Sequence, residues 1–147
     1  MTAPGRPPLR RLLETVLYVD DLEAAARFYG GVLDLEEASR KPGVFVFYRL
    51  QDQMLLLFEP DAARGSVAVP PHGADGAGHV AFAVAERDLR RWVAHLVTHG
   101  VEIEAELDWP NGGRSFYFRD PAGNSLEIAA PRIWGFDDAL AGGAGPG

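Results

Sequence analysis

The chain repeats itself, and this constrains its fold more than any other feature. The run ETVLYVDDLEAAARFYGGVLDLE (Glu14–Glu36) is echoed by HVAFAVAERDLRRWVAHLVTHGVEIE (His79–Glu104). Each copy is a strand-like run, then a D-L-x-x-x helix start, then an amphipathic helix. Glu14 and His79 open the two copies 65 positions apart. A third polar residue, Glu127, sits in FRDPAGNSLEIAAP, the closing strand of the second copy. A duplicated scaffold that offers Glu, His and Glu from three strands suggests a metal centre in a small enzyme.

Local patterns extend the repeat. Glu14–Val19 reads as a strand, and Asp20 or Asp21 caps a helix whose apolar residues Leu22, Ala25, Phe28, Tyr29 and Val32–Leu33 recur at helical spacing. Gly30-Gly31 falls inside that pattern and is expected to weaken the helix or end it early. A weak strand signal at Leu35–Ser39 precedes two clearer ones, Val44–Leu50 and Met54–Phe58, separated by Gln51-Asp52-Gln53. The second copy follows the same order. A strand at His79–Val84 leads to a helix at Glu86–Gly100, with Leu89, Trp92, Val93, Leu96 and Val97 on one face. Strands at Val101–Leu107, Ser115–Arg119 and Ser125–Ala129 follow, the last two joined by the turn Asp120-Pro121-Ala122-Gly123-Asn124.

The predicted architecture is therefore α+β, a tandem of two βαβββ modules. Residues 1–11 form a flexible lead-in, 12–60 the first module, 61–78 a Pro/Gly-rich linker and possible lid, 79–132 the second module, and 133–147 a tail. The closing AGGAGPG has nothing to bury and is expected to be disordered. Aligning the module ends on Pro60 and Pro131 sets Leu56 opposite Glu127. The fourth symmetry-related position is thus apolar, leaving three protein ligands rather than four.

Composition removes several function classes. A net charge of -7 opposes nucleic-acid binding, and pairs such as Arg10-Arg11 and Arg90-Arg91 are too sparse to reverse it. With no cysteine there is no disulfide, thiolate nucleophile or Cys-ligated metal, which fits a reducing cytoplasm. No stretch approaches the roughly 18 apolar residues of a membrane span, and MTAPGRPPLRR lacks the apolar core of a signal peptide.

Three segments carry a family resemblance: VDDLEAAARFY after the first strand, GHVAFAV opening the second module, and SFYFRDPAGNSLEI near the end. In order and spacing they resemble the vicinal oxygen chelate superfamily. That superfamily includes glyoxalase I, extradiol dioxygenases, fosfomycin-resistance thiol transferases, methylmalonyl-CoA epimerase and bleomycin-resistance proteins. The F-x-D-P-x-G-x-x-x-E pattern is the most specific of the three, and the layout is closest to the fosfomycin-resistance group. The resemblance implies curved sheets forming a cupped site, with metal ligands at Glu14, His79 and Glu127. Glu14 departs from the usual His or Gln at the first position. Leu56 stands where glyoxalase I takes a further ligand, which counts against that activity in its usual form.

One histidine and two carboxylates make a hard site suited to a divalent ion such as Mn, Fe, Mg, Ni or Zn. Two or three coordination positions would remain for water or a bidentate substrate, which the ion would polarise as a Lewis acid. Each residue also has a plainer reading. Glu14 serves equally as a surface or salt-bridged residue, and His79 as a hydrogen-bonded structural histidine. Glu127, in an apolar strand, needs either solvent or a partner.

Around these three, Tyr117 and Arg114 are candidates to contact an anionic substrate, and His72 in PPHGADG is a candidate general base on a lid. Their alternatives are strand packing for Tyr117 and solvation for the other two. Trp109 walls a pocket or packs in a core or dimer contact. Glu59 is expected to be exposed. His95 and His99 have ligand spacing at i, i+4 but lack a third partner, so they are rejected as a metal site.

The leading expectation is a cytoplasmic metalloenzyme that binds a small-molecule substrate through two adjacent oxygens. A homodimer is expected, since relatives commonly pair modules, sometimes across chains; the site is then either within one chain or, if modules swap, formed by Glu14 with the partner copy's equivalents of the other two ligands. The rival is a metal-free protein that sequesters a drug or metabolite in an aromatic groove, as bleomycin-resistance proteins do.

Overall fold

A computed structural model describes residues 5–142, so the ends of the expected lead-in and tail, residues 1–4 and 143–147, lie outside the described residues. The first module opens with β1 (Glu14–Tyr18). Asp21, rather than Asp20, caps α1 (Leu22–Ala26), its carboxylate accepting from the Ala24 amide at 3.0 Å. The α-helix is short, ending at Ala26, in keeping with the weakening expected from Gly30-Gly31. The chain continues as a π-helical stretch at Arg27–Val32, where the Leu33 amide reaches back to the Phe28 carbonyl. Glycine favours the α-helix less than any residue but proline, so the backbone there can relax into the wider turn.

Strands β2 (Glu36–Lys41), β3 (Phe45–Leu50) and β4 (Gln53–Phe58) then run antiparallel, and β1 returns to lie parallel to β4. The expected linker contains a short helix, α2 (Pro60–Arg64), and Glu59 is its cap rather than a free surface residue, accepting from the Asp61 and Ala62 amides.

The second module repeats this plan. It comprises β5 (His79–Ala83), a 3-10 turn at Glu86–Asp88, α3 (Leu89–Thr98), β6 (Ala105–Asp108), β7 (Arg114–Arg119) and β8 (Ser125–Ala129). Strand β6 begins four residues later than the sequence pattern suggests. The Val101 amide is already committed to the Leu96 carbonyl at the end of α3, where Gly100 takes a φ of 77°. The two sheets have matching orders, β1-β4-β3-β2 and β5-β8-β7-β6. Glu14 pairs with Met54 and His79 with Ser125, so Leu56 and Glu127, two residues further along, are structurally equivalent.

Both modules bury their helices in one core. Tyr29, Tyr48, Leu57, Leu96, Phe116, Phe118 and Leu126 are all fully buried in it. Polar contacts tie the modules across the core. The Tyr29 hydroxyl donates to Asp120 Oδ2 at 2.7 Å, Asn124 Nδ2 donates to the Tyr18 carbonyl at 2.9 Å, and His95 Nε2 donates to the Val32 carbonyl at 2.7 Å. Asp120 Oδ1 also accepts the Ala122 and Asn124 amides. The D-P-A-G-N turn is thus a clasp between modules.

The described part of the tail is folded. It forms 3-10 turns at Pro131–Trp134 and Asp138–Ala141, and Asp138 accepts the Glu86 amide. No helix among the described residues is long and apolar enough to cross a membrane.

Candidate metal centre

Strand alternation sends Phe116, Phe118, Leu126 and Ile128 into the core and leaves the opposite face of the second sheet open. His79, Ala81, Ser115, Tyr117 and Glu127 share that open face. Glu127 lies between Ala81 on β5 and Tyr117 on β7. The small Ala81 side chain leaves room for His79, the diagonal neighbour, to lean over the carboxylate. His79 Nε2 stands 3.3 Å from Glu127 Oε1, although His79 is half exposed and the Glu127 side chain only 7% exposed.

The other atoms of both side chains are occupied. His79 Nδ1–H donates to the Ser125 carbonyl at 2.9 Å, which leaves Nε2 as the basic nitrogen of the neutral ring. Glu127 Oε2 accepts the Ser115 hydroxyl at 2.5 Å, and Ser115 Oγ in turn accepts the Trp109 indole N–H at 2.9 Å. Two electron-pair donors, Nε2 and Oε1, therefore converge with their outer partners in place. Imidazole plus carboxylate is a donor set that divalent ions accept.

Tyr117 adjoins this pair, its ring 6.2 Å from the His79 ring and tilted by 22°. Burial, then the Glu127 carboxylate, pushes its phenol above the ordinary tyrosine value, while the Ser115 hydroxyl partly opposes them. Tyr117 is therefore protonated at neutral pH and able to donate a hydrogen bond.

The remaining candidates lie elsewhere. Glu14 is exposed on the edge strand β1, and among the described residues no three His, Asp, Glu or Cys side chains gather at a point. One chain thus brings together His79 and Glu127 but not Glu14. Arg114 begins β7 and alternates away from Ser115 and Tyr117. It is held by Asp108 at 2.7 Å and Glu106 at 3.4 Å, off the open face. His72, in the linker, packs on the first module, its Nδ1 2.5 Å from the Tyr18 hydroxyl and its ring edge-on to Phe58. His95 and His99 spend ring nitrogens on the Val32 and His95 carbonyls, which accounts for their spacing without a metal.

Sequence reasoning missed Ser115. The available signal was its place two residues before Tyr117 in a strand, which puts the hydroxyl on the same face.

Comparison with known proteins agrees with this fold. Residues 11–128 match the Glyoxalase/Bleomycin resistance protein/Dioxygenase superfamily. The structure of a lactoylglutathione lyase from Agrobacterium tumefaciens is similar at 40% identity and a TM-score of 0.86, over 88% of this chain and 100% of that one. A glyoxalase/bleomycin resistance protein/dioxygenase from Nocardioides has 25% identity and a TM-score of 0.69, over 86% of each chain. A glyoxalase/dioxygenase from Nostoc punctiforme has 25% identity and a TM-score of 0.64, over 88% of this chain and 95% of that one. The comparison with curated proteins gives no match.

Proposed function

Because the chain belongs to the Glyoxalase/Bleomycin resistance protein/Dioxygenase superfamily, we propose that it is a divalent-metal-dependent enzyme acting on a small molecule with two adjacent oxygens. The observation that carries this reading is the convergence of His79 Nε2 and Glu127 Oε1 at 3.3 Å, each with its outer atom already hydrogen-bonded. Glu14 is the third ligand, supplied by a second copy. Strands β1 and β5 are both sheet edges, so setting β1 of one copy beside β5 of the other brings Glu14 towards His79. The exposed Leu9, Leu12 and Leu13, just ahead of β1, give such a dimer apolar surface to cover.

When bound, the ion supplies Lewis-acid stabilisation of negative charge developing on substrate oxygens. The protein's own groups do the rest. Glu127 and His79 hold the ion from one side, and the neutral Tyr117 phenol donates a hydrogen bond to an anionic oxygen. Phe45, Phe47 and Phe58, whose rings pack at 4.0 to 6.0 Å on the open face of the first sheet, form an apolar wall in the shared cup. The similarity to a protein titled lactoylglutathione lyase makes lyase or isomerase chemistry the first to assay. Leu56 leaves the fourth ligand position apolar, so transferase and dioxygenase substrates belong in the same screen.

The test is metal analysis of protein purified without chelator, with its oligomeric state and the variant His79→Ala. A dimer holding one divalent ion per site, lost in His79→Ala, is the expected result. The phenylalanine wall favours a second reading, a metal-free protein that sequesters an aromatic drug or metabolite. Absence of any bindable ion, with ligand affinity unchanged in His79→Ala, would replace the first reading by the second.

A further inference from the structure

We infer that Ser115 and Trp109 form a positioning relay that sets the Glu127 carboxylate for metal binding, an inference that rests on the proposed metal centre. Ser115 is fully buried, and its hydroxyl has one proton to give. That proton goes to Glu127 Oε2, so the contact from Trp109 Nε1–H at 2.9 Å is one that Ser115 Oγ accepts. The direction of the chain is thereby fixed as indole to hydroxyl to carboxylate. With the indole donating into Oγ and the hydroxyl donating to Oε2, the carboxylate is pinned through Oε2. Only Oε1 remains directed at His79 Nε2.

Trp109 is held in its turn. Its amide donates to the Gly113 carbonyl, and its own carbonyl accepts the Gly112 amide, both at 2.8 Å, so the hairpin between β6 and β7 presents the indole to Ser115. The carboxylate is thus held at Oε2 from the β7 side by a hydrogen-bonded turn, while Oε1 meets His79 on the β5 side. The first module has no counterpart, because the position equivalent to Ser115 is Phe45. An outer partner of this kind fixes the orientation of a ligand and raises its affinity for the ion without touching it.

The relay makes three separable predictions for the full-length protein, with Zn²⁺ alone as the probe. By titration calorimetry, Ser115→Ala weakens Zn²⁺ binding about 10- to 100-fold, and Ser115→Thr, which keeps the hydroxyl, recovers most of that loss. Trp109→Phe weakens it by about three- to tenfold, as expected for one neutral hydrogen bond. Because Trp109 is 36% exposed, this variant leaves the core intact and serves if Ser115→Ala fails to fold. In the NMR spectrum the Trp109 indole N–H resonance moves when Zn²⁺ is added to the wild type and stays still in His79→Ala.

Zn²⁺ affinity equal to wild type in both Ser115→Ala and Trp109→Phe, with binding abolished in His79→Ala, would overturn the relay and leave the metal centre standing. Zn²⁺ binding no stronger in the wild type than in His79→Ala would overturn both.

Discussion

The open faces of the two sheets are the same nine positions carrying different chemistry. On the first sheet they hold Glu14, Val16 and Tyr18, then Met54, Leu56 and Phe58, then Phe45, Phe47 and Arg49. On the second, in the same register, stand His79, Ala81 and Ala83, then Ser125, Glu127 and Ala129, then Ser115, Tyr117 and Arg119. One face is aromatic and aliphatic; the other is small and polar, with its buried carboxylate satisfied from the side. The difference teaches how a duplicated scaffold divides labour. A carboxylate buried in a sheet needs a donor beside it, and only the module with serine in place of phenylalanine supplies one. The aromatic module gives up that option and gains a dry wall.

Exchanging residues between the faces breaks the comparison most directly. Glu127→Leu gives the second sheet the residue of the first. Its divalent-ion affinity should fall by more than the roughly 100-fold expected for loss of an outer partner, read by calorimetry. Its thermal midpoint should change little, since an apolar group replaces a buried charge.

The reverse exchange, Leu56→Glu, buries a carboxylate beside Phe47 with no hydroxyl donor. Urea unfolding should show a loss of about 3 kcal/mol, partly recovered by adding Phe45→Ser. Full stability in Leu56→Glu alone would mean that the two faces do not differ as described.

The smallest effect concerns the clasp that keeps the faces in register. Tyr29→Phe removes the bond to Asp120 and should lower stability by about 2 kcal/mol in a single unfolding transition. Burial, then the Asp120 carboxylate, raises the Tyr29 phenol well above its ordinary value. A raised folded-state value stabilises below the unfolded tyrosine value near 10, and that contribution is lost as pH rises beyond it. The urea midpoint should therefore fall above about pH 10, less steeply in Tyr29→Phe. An identical slope in the variant would remove Tyr29 from the account.

Much of this was legible in the chain. Alternation and turn residues located Ser125–Ala129 at its observed limits, and matching Pro60 to Pro131 already paired Leu56 with Glu127. These signals survive because a period of two and a proline turn act over a few residues. Other readings changed on folding. Arg114, which the sequence leaves as either an anion contact or a solvated residue, is the first residue of β7 and turns away from Tyr117. The glycine pair expected to weaken the first helix or end it early lies in a π-helical stretch after α1, whose last carbonyl is taken by His95 from 63 residues away.

The sequence by itself determined the two βαβββ modules, the equivalence of Glu14 with His79, and the apolar character of the fourth position. All of these follow from local periodicity read twice along one chain. Only the tertiary structure decided that Ser115, backed by Trp109, stands beside Glu127, that His72 pairs with Tyr18, and that Glu14 stays apart from His79 and Glu127 within one chain. Those outcomes depend on which hairpins and sheet edges meet, and such encounters join residues that no short-range period relates.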